Sequence, residues 1–238
     1  MDVMVGAWGA MMRRTWQETS RRAAGQLKEH RRGYRPPVAT TRPGAAAAGD
    51  EGGDEGVGAA AAARLKRELG VRELEMKVAD PRVQTSAEKS LLYGALAGPD
   101  KVAFTGFYVP EGSAGGVAQP QVLHALFVFG GGVCGHPGFV HGGALAAAID
   151  ESFGVGYYAL AHVPLGFGAR RGFTANLTVD YRAPVPSHTA ARVHVELAGP
   201  VDGRKVFLKA KMVGLDTGIL HAEATALFIL EREASAAA

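Results

Sequence analysis

The run from Gly135 to Glu151, Gly-His-Pro-Gly-Phe-Val-His-Gly-Gly-Ala-Leu-Ala-Ala-Ala-Ile-Asp-Glu, limits the possible folds more than any other stretch of this chain. It begins in turn-prone Gly and Pro residues, passes through His141-Gly142-Gly143 and enters an Ala/Leu/Ile segment. That segment predicts a helix from about His141 to Leu160, apolar on nearly every side and therefore in need of cover all round. Two acids, Asp150 and Glu151, interrupt it. A helix start offers free N–H groups that can stabilise a developing oxyanion, and a carboxylate can take a proton from water or attack directly.

The elements flanking this helix indicate what covers it. Val102 to Val109 and Gln121 to Phe129 read as strands before it, closed by Pro110-Glu111-Gly112 and by Gly130-Gly131-Gly132. After it come Phe173 to Arg182, Ala190 to Leu197, Lys205 to Leu215 and Ile219 to Leu230. Val193, Val195 and Leu197 alternate with His194 and Glu196, and turn signals lie at Asp202-Gly203 and Asp216-Thr217-Gly218. These four strands are expected to form an antiparallel meander. Two strands, a long apolar helix and four strands make an α+β chain in which a curved antiparallel sheet wraps the helix, the order of a hotdog fold. Arg64 to Lys77 and Ala87 to Ala97 predict short helices as peripheral cover, so the folded domain is expected over 64–238.

The preceding residues differ in composition. Met1 to Arg42 holds nine Lys/Arg against three acids, with Met4, Trp8, Met11, Met12 and Trp16 at roughly helical spacing. This Arg-rich amphipathic start resembles an organelle transit peptide, with a mitochondrion as the expected destination and the cytoplasm as the alternative. Pro43 to Ala63 is almost all Ala, Gly, Asp and Glu and reads as a disordered linker. The net charge of +3 excludes little, but the basic excess is confined to the tail, which argues against a nucleic-acid partner. No apolar run reaches the ~20 residues of a membrane span. The single Cys134 excludes an internal disulfide and a multi-cysteine zinc site, and reads as a bystander thiol. His136 and His141 with Asp150 make a poor metal set, so no metal is expected. Gly166-x-Gly168 leads into a strand, unlike a dinucleotide-binding loop, and Ser152 lacks a nucleophile elbow.

Asp150 lies nine residues after His141, about 13.5 Å along a continuous helix and about 180° around it. One copy of the helix cannot bring both to one carbonyl, so if both act, the site is built from two chains and a homodimer is expected, possible as half of a tetramer. The competing structural readings are a capping or core histidine for His141 and a solvated acid for Asp150. Glu151, about 100° further round, is the second choice of acid. Arg170-Arg171, Arg182 and Arg204-Lys205 are candidates to meet phosphates or are solvated strand ends.

The Gly135–Asp150 run, followed by Thr174-Ala-Asn-Leu-Thr-Val-Asp-Tyr-Arg-Ala-Pro-Val-Pro186, resembles the PaaI-like hotdog acyl-CoA thioesterases, closest to animal thioesterase superfamily members four and five. The likeness covers roughly Val102 to Leu230. It implies hydrolysis of acyl-CoA to free acid and CoA in fatty acid metabolism, without metal or redox cofactor. Carried over, His141 and the Gly142 N–H polarise the thioester carbonyl. Asp150 of the second subunit is base or nucleophile, and Thr174 stands near the attacking water. Gly143, His136, Phe139, Arg170 and Arg171 are assigned to substrate binding. Where some relatives hold an Asn before the histidine, this chain has Gly135 or His136. The rival reading is a non-catalytic acyl-CoA-binding or interaction module on the same fold.

Overall fold

A computed structural model describes residues 53–74, 90–111, 121–168 and 170–232, all within the compact unit Gly49–Ala238. The proposed transit segment, the first ten residues of the expected linker (43–52) and residues 75–89 lie outside the described residues.

The first element is helix α1, Gly53–Leu69, which opens inside the stretch expected to be linker and corrects the expected start at Arg64. Ala has the highest helix propensity, and the run Ala59 to Ala63 supplies it. Ala61, Ala62 and Leu65 are then buried with Tyr108, Leu126 and Val128, which supplies the apolar burial that composition alone did not suggest. The helix ends at Leu69 rather than Lys77, with Gly70 in the left-handed region at φ +58, and the chain turns into strand β1, Val71–Glu73. Of the second expected helix, the described part is a π-helical turn, Leu91–Ala95, whose Ser90 side chain accepts from the Tyr93 N–H.

Strands β2 (Val102–Pro110) and β3 (Val122–Phe129) follow. A small hairpin, β4 (Cys134–His136) and β5 (Phe139–Val140), delivers the chain to helix α2, Gly142–Tyr157, which continues as a π-helical turn to His162. Then come β6 (Gly172–Tyr181), β7 (Ala190–Leu197), β8 (Lys205–Gly214) and β9 (Leu220–Leu230). The main sheet is antiparallel throughout, in the order β1-β2-β3-β7-β8-β9-β6.

This order corrects the expected four-strand meander. β7, β8 and β9 are sequential neighbours, but β6 pairs with β9 at the far edge, and β7 docks on β3. The reason lies between Arg182 and Thr189, where Pro184 and Pro186 have no N–H to give to a ladder. The chain leaves the sheet there and crosses before rejoining it.

One face of the sheet closes on α2. Phe107, Phe127, Val193, Val195, Leu208, Met212 and Phe228 pack with Leu145, Ala148, Ile149 and Phe153 of the helix. β3 is buried at almost every position because α2 covers one face and α1 the other. β8 shows plain alternation, with Val206, Leu208, Ala210 and Met212 inward and its lysines outward. Phe153 has no solvent exposure. Truncation to Ala there is expected to destabilise by about 3–5 kcal/mol. A helix wrapped by a curved antiparallel sheet is the hotdog arrangement expected from the sequence.

Candidate active site

The hairpin β4–β5 turns at Gly138, whose φ of +79 suits glycine, and its exit positions His141 as the N-cap of α2. The His141 N–H donates to the Val133 carbonyl at 2.9 Å. Its Nδ1 accepts from the Gly143 N–H at 2.9 Å, so a neutral ring carries its proton on Nε2. A capping role for His141 is therefore real, and it leaves an outward N–H donor on the ring. Ala144 and Leu145 both donate to the His141 carbonyl. Gly142, at the first helical position, has no acceptor within the helix for its own N–H, which points out of the helix end.

The residue types at this corner follow from close approach. A Cβ on Gly143 would sit 3.0 Å from His141 Nδ1 and one on Gly135 2.9 Å from His141 Cδ2, whereas one on Gly142 would meet the Tyr181 ring at an ordinary 3.4 Å. Tyr181, at the end of β6, donates its hydroxyl to the Gly142 carbonyl at 2.6 Å. Burial raises the Tyr181 pKa, so that hydroxyl stays a donor. Sequence reading did not select Tyr181; an aromatic with a polar tip at the end of an edge strand was the only available signal.

Asp150 lies eight residues beyond Gly142 on the same unbroken helix, and is half-buried. Thr174 Oγ1 donates to Asp150 Oδ1 at 3.1 Å. Burial pushes the Asp150 carboxyl above its ordinary value, and the Thr174 bond draws it partly back. Glu151 faces elsewhere, towards Tyr93 of the π-helical turn. Burial raises its pKa too, with Tyr93 acting downward and Asp150 upward. The Tyr93 hydroxyl is buried outside good hydrogen-bond geometry. The two acids thus address different elements, Asp150 the edge strand and Glu151 the cover.

Thr174 reaches Asp150 because of a β-bulge. Thr174 pairs with Phe228 while Asn176 pairs with Leu227, so Ala175 is an extra residue. Plain alternation would put Thr174 on the face of Asn176, Thr178 and Asp180; the bulge turns it to the face of Leu177, Val179 and Tyr181, which is the helix side. β6 thereby holds α2 at two points, Thr174 on Asp150 and Tyr181 on Gly142.

The other sequence candidates are distributed as follows. His136 is exposed at the end of β4, paired in register with half-buried Phe139 of β5, in the hairpin that leads into His141. The Arg170 Nε donates to the Phe167 carbonyl at 3.4 Å, and its guanidinium lies 5.4 Å from that ring. Arg171 donates from Nε and Nη2 to Glu231 Oε1 at 3.1 and 2.7 Å. Arg182 pairs with Glu223 at 2.9 Å, and Arg204 donates to the Leu230 carbonyl at 2.7 Å. These arginines thus have partners in their own chain; Arg170, Arg171 and Arg204 lie near the end of β6 that carries Thr174, and Arg182 at the opposite end, after Tyr181. Cys134 is half-buried with its thiol 3.9 Å from the Gly130 carbonyl. Among the described residues no three His, Cys, Asp or Glu side chains converge as metal ligands, and no helix is long and apolar enough to cross a membrane.

The arrangement separates an N–H donor at one end of α2 from a half-buried carboxylate in its middle, by about 12 Å of helix rise. Each is suited to one half of an acyl-transfer reaction. Acyl-coenzyme A thioesterase THEM4 of Rattus norvegicus is 38% identical over 112 residues, covering 47% of this chain and 44% of that protein. The protein of the same name from Xenopus laevis is 40% identical over 95 residues, covering 40% and 39%. This chain thus matches less than half the length of these curated relatives. The crystal structure of thioesterase superfamily member 2 from Mus musculus aligns with a TM-score of 0.40 and 17% identity, over 51% of this chain and 91% of that one. The family profile of the thioesterase superfamily matches residues 137–198, the segment holding His141, Gly142, Asp150 and Thr174.

Proposed function

We propose that this protein hydrolyses acyl-CoA thioesters to a free acid and CoA, in a site shared between two copies of the chain. The observation that carries the reading is the pairing of an outward Gly142 N–H at the His141-capped start of α2 with a half-buried Asp150 held by Thr174 on the same helix.

In the proposed reaction the thioester carbonyl oxygen accepts from the Gly142 N–H, beside the Nε2–H of His141. Charge developing on that oxygen is stabilised by donors fixed before the reaction starts. Asp150 of the second copy takes a proton from water as the water oxygen attacks the carbonyl carbon. Collapse of the tetrahedral intermediate breaks the C–S bond, and the proton passes to the departing thiolate. Direct attack by the carboxylate is the alternative route, with water cleaving the resulting anhydride. The pKa elevation of Asp150 suits a base, because a carboxylate in a partly apolar site holds a proton more strongly once it has taken it.

Two features support the homodimer. A continuous helix keeps His141 and Asp150 about 180° apart, so if both act on one carbonyl a second chain completes each site. β6 is also the last strand of the sheet, with Phe173 48% and Tyr181 50% exposed, an edge suited to a second copy. His136 and Phe139 are proposed to contact the bound thioester, and Arg170 and Arg171 to meet its phosphates in exchange for present partners. The Arg-rich residues 1–42 are proposed as a mitochondrial targeting segment, which a fluorescent fusion of that segment would test.

The activity is tested by incubating the purified protein with acyl-CoAs of graded chain length and following released thiol. The reading requires release from at least one acyl-CoA, and loss of about 10²–10⁴-fold in Asp150→Asn. Binding of acyl-CoA without release from any would favour a non-catalytic module instead.

A further inference from the structure

α1 is joined to the rest of the domain by apolar packing and by polar tethers at both ends. Towards its C-terminal half, the Arg64 Nη1 meets Asp216 in the β8–β9 turn at 2.7 Å, and Lys66 meets Glu73 at 3.2 Å. At its first turn, Asp54 accepts from His188 Nδ1 through both carboxylate oxygens, at 2.9 and 2.8 Å. The Asp54 side chain is only 11% exposed, so its charge is withdrawn from water and depends on this partner.

His188 occupies a distinctive place. Among the described residues it is the one non-glycine with positive φ, at +62. A residue other than glycine in the left-handed region persists where its surroundings hold it there. Its N–H donates to the Phe129 carbonyl at 2.8 Å, and its ring is held by Asp54.

The segment that carries His188 braces the loop leading to His141. The Ser187 N–H donates to the Gly138 carbonyl at 3.0 Å, and the Val140 N–H donates to the Val185 carbonyl at 2.9 Å. Phe139 and Pro186 form a bridge between these contacts. Thr189 Oγ1 closes the turn on the Pro186 carbonyl at 2.9 Å. Residues 138–140 are therefore fixed from the 185–187 side immediately before His141, whose own N–H is fixed by Val133.

We propose that Asp54 and His188 are a positioning pair: by locking the 185–189 turn, they couple the N-terminal helix to the orientation of His141 and of the Gly142 N–H. The inference rests on the hydrolase reading for its effect on rate, while the coupling itself is a property of the fold. It gives α1, which lies outside the matched family segment, a function beyond covering the sheet. Displacing α1 at its first turn frees the 185–189 segment and, with it, the geometry of the carbonyl-polarising corner.

The test compares tethers at the two ends of one helix in the full chain. Asp54→Ala and the shape-preserving Asp54→Asn are set against Asp216→Ala, which releases the tether in the C-terminal half of α1. kcat, KM and hydrogen exchange of residues 138–143 are measured for each. Asp54→Ala is expected to lower kcat about tenfold with KM little changed, since small misplacement of a reacting group is felt mainly in the chemical step. Exchange at 138–143 should quicken in Asp54→Ala, less in Asp54→Asn, and not in Asp216→Ala. His188→Asn, which tolerates the left-handed backbone and keeps a side-chain donor, should stay near wild type. Equal effects of Asp54→Ala and Asp216→Ala on kcat, or quickened exchange confined to 53–69, would overturn the proposal. If the wild-type protein hydrolyses no acyl-CoA, the hydrolase reading fails by itself, and the exchange comparison still decides whether the pair holds the 138–143 corner.

Discussion

Thr174 and Asp150, 24 positions apart in sequence, are joined by a 3.1 Å hydrogen bond in which the hydroxyl donates to the carboxylate. The bond stabilises the ionised form of an acid that burial otherwise pushes toward protonation. As the proposed base, Asp150 would work only when ionised, so activity is expected to fall as pH drops through its raised pKa. Thr174→Val removes the one downward influence, and the acid limb of the kcat/KM–pH profile is expected to move to higher pH. Thr174→Ser should leave the limb in place. An unmoved limb in Thr174→Val would separate Asp150 from the pH dependence.

At the other end of α2, Gly142→Pro isolates the N–H donor. Proline is tolerated at the first helical position, where the N–H has no partner within the helix, and His141 at φ −65 and ψ 135 already has the extended backbone that a following proline requires. The variant should keep its Tm and lose about 10²–10³-fold in kcat, the effect of removing one oxyanion donor. Thermal unfolding and thiol-release assays check the two halves of that statement.

The apolar helix, its paired acids and the sheet around it were legible in the sequence because burial leaves periodic marks. Val193 and Val195 alternate with polar neighbours, and the apolar residues from Ala144 to Ile149 give the helix no wet face. α1 was not legible as part of the fold. Its Ala59–Ala63 run has the composition of a linker, and only the facing Tyr108, Leu126 and Val128 make burial there favourable. The side on which Thr174 lies was hidden for a different reason. A one-residue bulge at Ala175 leaves no mark in the alternation, yet inverts the facing of everything before it. The likeness to known thioesterases named Thr174 without explaining how it reaches Asp150. Tyr181, whose hydroxyl meets the Gly142 carbonyl, and the place of β6 beyond β9 depend on long-range pairing that no local pattern records.

Glu151 gives a stability prediction. Its folded-state pKa is raised, chiefly by burial. The unfolded chain therefore releases the proton first, and stability declines as pH rises from the ordinary carboxylate range through the raised value. Glu151→Gln removes that penalty. It should raise the unfolding midpoint at pH 7 and change it least at pH 4, as measured by chemical denaturation at both values.

His124 acts with the opposite sign. Burial, with His194 and Arg192 adding to it, lowers its pKa to about 4. The unfolded chain takes up a proton first as pH falls below the ordinary histidine value, so stability is lost between about 6.5 and 4. One such group contributes a slope of about 1.4 kcal/mol per pH unit. His124→Leu should flatten the pH dependence of denaturation across that window, relative to wild type.

The shared site is tested most directly by complementation. Asp150→Asn and Gly142→Pro proteins, each expected to be nearly inactive alone, are mixed, and the proposed dimers are dissociated and allowed to reassociate. Random pairing makes about half of the dimers mixed, and each mixed dimer holds one site with both functional residues and one with neither. The account predicts recovery of about a quarter of wild-type activity. Activity no higher than the mean of the two parents, with mixed dimers present, would place Gly142 and Asp150 in the same chain's site and contradict it.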